Sequence, residues 1–241
     1  MSKKLIINAD DFGFSEAVNH GIIKGYQDGL ITSTTIMANM PGFEHAMKLA
    51  AANPGLHYGV HLNLTCYKPI LQTHKTLVRE NGYFRKQGDV DGIDLKEAYE
   101  ELKTQIEKVI AAGVPIDHLD SHHHIHSLPF FKEVMKRLQK EYHLPLRGGF
   151  TYESPITRKS VLLVGFYDDE VSVENFSAMM KHLEDGKTYD LMCHPAYVDK
   201  FLYETTSYGL KRINELDMLC NEKLKHILKE ENIILDTYAS L

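Results

Sequence analysis

"KLIINADDFGFSEAVNHGIIKGYQDG" (4–29) decides how the rest of the chain is read. Its first six residues are apolar enough for a buried strand, and Asp10 and Asp11 end the run at once. From Ser15, an N-cap residue type, Val18, Ile22, Ile23 and Tyr26 fall on one helical stripe, and Gly29 closes it. A strand feeding directly into a helix is the opening of a parallel α/β unit.

The same order recurs along the chain. "STTIMANM" (33–40) precedes "FEHAMKLAAANPG" (43–55), "YGVHLNL" (58–64) follows, and "LKEAYEELKTQIEKVIAAG" (95–113) precedes "DHLDSH" (117–122). Further strands are predicted at "LPLRGG" (144–149), "SVLLVGFY" (160–167), "YDLMCH" (189–194) and "NIILDTY" (232–238), with helices near 127–142, 172–185 and 208–231. This succession fits a (β/α) barrel or a large doubly wound sheet, and periodicity alone does not separate the two. No repeat or linker divides the chain, so 1–241 reads as a single domain. The 65–93 connection is long and polar, the kind of segment that forms a lid, a binding loop or a surface excursion.

Composition narrows the partners. The chain has 241 residues, a hydrophobic share of 43% and a formal net charge of −6, so it can bury a full core and lacks the basic excess that holds a phosphate backbone. Nucleic acid is therefore not an expected partner. Cys66, Cys193 and Cys220 are odd in number and lack metal-knuckle spacing, which points to reduced thiols and a cytoplasmic setting. The first apolar run is too short for a signal-peptide core, and no stretch reaches the length of a membrane span.

Chemistry concentrates where the predicted strands end. Asp10 and Asp11 follow the first strand, His61 lies in the third, Asp120 and His122 end the fourth, Arg147 ends the next, and His194 ends "YDLMCH". In parallel α/β folds the loops after the strands converge, so these residues share one mouth if the sheet closes. Adjacent carboxylates are costly to bury without a cation, and strand alternation points them to opposite faces, which gives the two aspartates different jobs. A helix N-cap is the plainer reading of that pair, and a satisfied core histidine the plainer reading of His61.

"HLDSHHHIH" (118–126) supplies the wider context. As a continuing strand it places Asp120, His122 and His124 on one face; a helix starting inside it would pair His122 with His126. Two imidazoles and one carboxylate leave coordination positions open, as in a catalytic rather than a structural metal site. Such a cation polarises a carbonyl and acidifies water, so hydrolysis is the natural reaction class, with His194 available as an acid near neutral pH.

"NADDFG" (8–13), "GVHLNLT" (59–65), "LDSHHHIH" (119–126) and "MCHPAY" (192–197), in this order and spacing, resemble the YdjC-like (ChbG-type) carbohydrate deacetylases. "GLITSTTIMAN" (29–39) and "YGLKRINELDML" (208–219) extend the likeness over nearly the whole chain. The resemblance implies a distorted (β/α) TIM-like barrel, often a homodimer, that removes acetyl groups from N-acetylated sugars such as chitooligosaccharides with one divalent metal. It matches His61 and His122 to the metal-binding histidines, Asp11 to the carboxylate ligand and Asp10 to the catalytic base. His194 is carried over as general acid and Arg147 as an orienting or charge-stabilising group. Magnesium is the metal commonly assigned to the family, while nitrogen-rich ligation favours zinc.

Tyr67, Tyr83, Phe84, Tyr197 and Tyr203 lie in predicted loops and offer faces for a sugar, although packing on the barrel exterior explains each as well. Two other functions fit the same residue types. A metal-dependent phosphoesterase would need further ligands for a second or third ion, and a non-enzymatic metal-storage patch would hold its histidines at the surface.

Overall fold

The structure is a computed structural model and describes residues 2–157 and 159–241. Seven parallel strands form one sheet: β1 (Lys3–Phe12), β2 (Ser33–Ile36), β3 (His57–Leu62), β4 (Ile116–Ser121), β5 (Val161–Leu163), β6 (Thr188–Cys193) and β7 (Ile233–Leu235). Their order is β4-β3-β2-β1-β6-β5, with β7 pairing the start of β1. The helices are α1 (Glu16–Gln27), α2 (Phe43–Ala52), α3 (Leu95–Ala111), α4 (Lys132–Tyr142), α5 (Val173–Lys181), α6 (Lys200–Thr205), α7 (Lys211–Leu219) and α8 (Glu222–Glu230).

Alternation along the strands builds two different layers. Leu5, Ile7 and Ala9 of β1 join Val18 and Ile22 of α1 and Leu102 and Ile106 of α3 in the apolar core. Asn8 and Asp10 take the opposite face, where Asn8 Nδ2 donates to Asp10 Oδ1 (2.9 Å) and to Thr35 Oγ1 (3.3 Å), and Thr35 Oγ1 donates to Asp120 Oδ2 (2.9 Å). The interior of the sheet is thus a polar network rather than an apolar plug.

That network settles the choice between barrel and open sheet. Asp120 on β4 and Asp190 on β6 are four strands apart, roughly 19 Å in a flat sheet. Both contact the guanidinium of Arg147, at 2.9 and 2.8 Å. The sheet must therefore curl into a half-barrel, with the helices outside.

"LPLRGG" departs from the expected strand. Pro145 has no N–H to give, so pairing is limited to one bridge, Leu119 N–H to Pro145 O and Arg147 N–H to Leu119 O. The segment lies between the two sheet edges: a side chain on Gly148 would meet Ser160 O at 2.6 Å. The helix expected over 208–231 is two helices, broken at Cys220 where Asn221 caps α8. The strand read at 33–40 ends at Ile36, and the 172–185 helix ends at Lys181.

The 65–93 connection is tied down by two acids of α3. Glu101 accepts the N–H groups of Ile70 and Leu71 and pairs with His74, and Glu97 accepts those of Lys75 and Thr76. Its Gln87 reaches the mouth of the half-barrel, donating to His123 O. No helix among the described residues is long and apolar enough to cross a membrane.

Candidate active site and metal centre

The end of β1 breaks its own alternation. Its pairing shifts register between Ala9 and Phe12, and Asp11 adopts the left-handed conformation (φ 72°), which aspartate tolerates better than most residues. Asp11 therefore turns to the same mouth as Asp10, where simple alternation had sent it to the other face. Both aspartates are buried.

Asp11 Oδ1 lies 3.4 Å from His61 Nε2 and 3.1 Å from His122 Nδ1. These residues can each offer one ligand atom within 4.8 Å of the others. His61 is aimed by its second nitrogen, whose Nδ1–H donates to Asp120 Oδ1 at 2.7 Å. Such a carboxylate behind a histidine fixes the ring and frees Nε2 as a ligand. Burial opposes a charge on His61, but Asp120, Asp10 and the bond to Asp11 push its pKa up to about 10, so without a cation the ring is protonated. A metal would take the place of that proton.

Asp10, His61 and Asp120 form a second acidic group of similar dimensions. It already holds a cation: Arg147 Nη1 and Nη2 donate to the two oxygens of Asp10, each at 2.7 Å, and Nη1 also pairs with Asp120. The donor set around Asp11 is thus the one that fits a divalent ion. Although burial resists ionisation, Arg147 holds Asp10 below the usual carboxylate range, and Arg212 with His122 holds Asp11 well below it.

Beyond Ser121 the histidine cluster leaves the strand and forms a short 3-10 segment, His122–Ser127, kinked in its middle. His123 and His124 are both left-handed (φ 54° and 53°); His122, His123 and His124 border the cleft, whereas His118 and His126 are buried away from it. His118 lies under the sheet interior, stacked on Tyr238, and His122 faces Asp11. His123 pairs with Thr65, His124 borders the cleft, and His126 braces the turn between Ser121 Oγ (2.6 Å) and Gly148 O (3.2 Å). Burial of His61, His118 and His126, and a cleft shared with Asp10 and His194, disfavour a surface storage patch.

Asp10, Asp11, His61, His122, His124 and His194 border one cleft of 370 Å³. His194 Nε2 is 3.9 Å from Asp10 Oδ2. Burial pushes the His194 pKa down to about 4, with Asp10 opposing and Arg212 reinforcing, so the resting ring is neutral at pH 7. Arg147 does not border the cleft; it is fully buried behind Asp10, which supports the orienting role and not contact with a substrate.

Sequence reasoning passed over Tyr208, Arg212 and Glu215 as functional residues. Arg212 Nη2 pairs with Asp11 Oδ2 at 2.7 Å, and Glu215 accepts both the backbone N–H of His194 and the hydroxyl of Tyr208. The signal was present as a polar i, i+4, i+7 stripe in "YGLKRINE" (208–215). Tyr167, read as the end of a strand, stacks on Tyr208 (4.1 Å, 18°) beside His194. None of Tyr67, Tyr83, Phe84, Tyr197 and Tyr203 is among the residues that line the cleft, and Phe84 is buried.

Comparison with known proteins places this geometry in context. The family model described as "YdjC-like protein" matches residues 4–230. A carbohydrate deacetylase from Geobacillus stearothermophilus is 38% identical, the alignment covering 99% of this chain and 98% of that protein. Another from Brevibacillus brevis is 36% identical, covering 99% of both. The crystal structure of a putative cellobiose-phosphate cleavage protein from Enterococcus faecalis V583 superposes with a TM-score of 0.93 at 36% identity, covering 100% of this chain and 99% of that one. A family 4 carbohydrate esterase from Streptomyces lividans, at 11% identity and a TM-score of 0.53 over 97% of this chain and 92% of that one, shares the fold. With a match from the first strand through α8 and full-length relatives above one-third identity, the chain belongs to the YdjC-like family.

Proposed function

We propose that the chain is a metal-dependent carbohydrate deacetylase that releases acetate from N-acetylated sugars of the N-acetylglucosamine or chitooligosaccharide type. The observation that carries this reading is the convergence of Asp11, His61 and His122 beside Asp10 and His194 in one cleft. The names of the full-length relatives support the acetylated-sugar substrate.

Asp11, His61 and His122 would hold a divalent ion, magnesium in the first instance and zinc as the alternative. A bound cation supplies polarisation of the acetamide carbonyl and acidification of water. Asp10 acts at Oδ2, taking the proton of the attacking water, and Arg147 keeps that carboxyl ionised and oriented. His194, neutral at rest, receives that proton from Asp10 Oδ2, 3.9 Å away, and passes it to the departing amine. Glu215 fixes the His194 backbone through the N–H, and Tyr167 with Tyr208 walls the leaving-group side.

The test is acetate release from a panel of N-acetylated chitooligosaccharides by metal-stripped protein, with magnesium, zinc or nothing restored, alongside His122→Ala. Metal-dependent release abolished in the variant is expected. Folded, metal-loaded protein that releases no acetate but cleaves phosphate esters would replace this reading with the phosphoesterase. The homodimer belongs to the same proposal and is checked by sedimentation of the purified chain.

A further inference from the structure

The floor of the half-barrel holds three buried polar groups that the reaction above leaves unused, Asp190, Tyr238 and His118, packed behind Arg147. Arg147 Nε donates to Asp190 Oδ2 at 2.8 Å, opposite the two nitrogens that grip Asp10. The hydroxyl of Tyr238, from the segment after β7, donates to the same Asp190 oxygen. The Tyr238 ring is stacked on His118 with a centroid distance of 3.7 Å and an interplanar angle of 5°. His118 in turn lies over Gly59, where a Cβ would fall 2.5 Å from the imidazole. Asp190, Arg147, His118 and Tyr238 are all fully buried.

We infer that Tyr238 and Asp190 are positioning residues, a buried brace that holds the Arg147 fork in the plane from which it presents Asp10 to the substrate. This rests on the reading of Asp10 as the base. A guanidinium is planar, so fixing Nε fixes the direction of both terminal nitrogens. With Asp190 on one side and Asp10 on the other, the plane is set from both ends. Asp190 is itself set from below by a hydroxyl whose ring cannot slide, because His118 clamps it and the missing side chain at residue 59 leaves room for that clamp. Burial and the charge of Asp190 hold the Tyr238 phenol well above its ordinary pKa, so it remains a donor throughout the working pH range. The last elements of the chain thereby act on a carboxylate at the end of the first strand.

The test uses the full-length, metal-loaded protein and two readouts. The Arg147 Nε–H resonance, assigned by its loss in Arg147→Lys, reports the brace directly; kcat and KM for deacetylation of an N-acetylated chitooligosaccharide report its consequence. Tyr238→Phe keeps the ring on His118 and removes only the hydroxyl. It is expected to shift the resonance, lower kcat roughly tenfold, the low end for loss of a supporting hydrogen bond behind a functional group, and leave KM and calorimetric metal affinity unchanged. Because the tyrosine acts through Asp190, Tyr238→Phe with Asp190→Asn should lose no more than Asp190→Asn alone. An unmoved resonance, additive losses in the double variant, or an unchanged kcat would each overturn the inference. Wild-type protein that releases no acetate would sink the functional reading instead, and the resonance would still decide whether the brace exists.

Discussion

Arg147→Met removes the cation shared by Asp10, Asp120 and Asp190 while keeping a side chain of similar reach. All four residues are buried, so the carboxylates cannot recover the charge from solvent. Removing one partner of a buried ion pair costs about 3–5 kcal/mol, and His61 remains at 2.7 Å to compensate Asp120. The loss at pH 7 is therefore placed at about 3–5 kcal/mol, which lowers Tm by roughly 6–20 °C in a chain of this size. The pH dependence identifies the cause. Burial favours the neutral acids, yet Arg147 holds Asp10, and His61 with Arg147 holds Asp120, below the unfolded value. In the wild type these carboxylates contribute stability above roughly pH 4 that is lost as the pH falls through their folded values. Without Arg147 their folded values rise, and the penalty for ionising them grows as pH increases from about 4. The gap between wild type and variant should be widest at neutral pH and narrow as the pH falls towards 4.5. Urea denaturation of the metal-free proteins, followed by circular dichroism from pH 4.5 to 8, measures it. A loss below about 1 kcal/mol at pH 7, the size of a surface ion pair, or one independent of pH, would refute the claim that Arg147 neutralises this cluster.

Asp10→Asn should keep calorimetric metal affinity and lower kcat by roughly 10²- to 10⁴-fold, the range for loss of a general base; equal loss of binding would make Asp10 a ligand. Asp120→Asn removes the carboxylate behind His61 and should weaken metal binding roughly 10- to 100-fold in the same titration. Glu215, which burial pushes up to about 7, gives a stability prediction of its own. Its folded pKa exceeds an unfolded value of roughly 4.3, so the stability it contributes in its protonated form is lost as pH rises towards 7. Glu215→Gln should therefore gain roughly 2–3 kcal/mol on the wild type between pH 5 and 8 in urea melts, and a flat difference would mean that burial does not hold Glu215 above its ordinary value.

The site was legible where one short motif carries both the residue and its placement. "NADDFG" reads as a strand end with two acids and "GVHLNL" as a buried strand carrying a histidine, although the period of two residues sends Asp11 to the face opposite Asp10 and the register shift brings it back. The reading failed where the backbone leaves regular geometry. Nothing in "DSHHHIH" announces two successive left-handed histidines, and the strand extrapolated to His124 is a kinked 3-10 turn, although His122 and His124 still border one cleft. Arg147 was found, but its partners on β4 and β6 come from 27 and 43 residues away and meet only because the sheet curls. Arg212 and Glu215 were hidden for a different reason: a polar stripe on a helix is ordinarily its solvent face, and here it is the buried one.

In the proposed reaction, the two adjacent aspartates are divided in function by what already occupies their oxygens. A carboxylate oxygen has about two acceptor sites. On Asp10, Oδ1 is filled by Arg147 Nη2 and Asn8 Nδ2, whereas Oδ2 accepts Arg147 Nη1 alone and looks towards His194. One lone pair is thus open, on the oxygen nearest the residue that must receive the proton. On Asp11 the pattern is reversed in purpose: Arg212 pairs with Oδ2, and Oδ1 faces His61 Nε2 and His122 Nδ1. Arg212 leaves Asp11 one oxygen to give to a cation, and Arg147 leaves Asp10 one site to give to a proton. The left-handed backbone at Asp11 is what brings two neighbours on a strand to the same cleft, and on the proposed reading the two arginines keep their tasks apart.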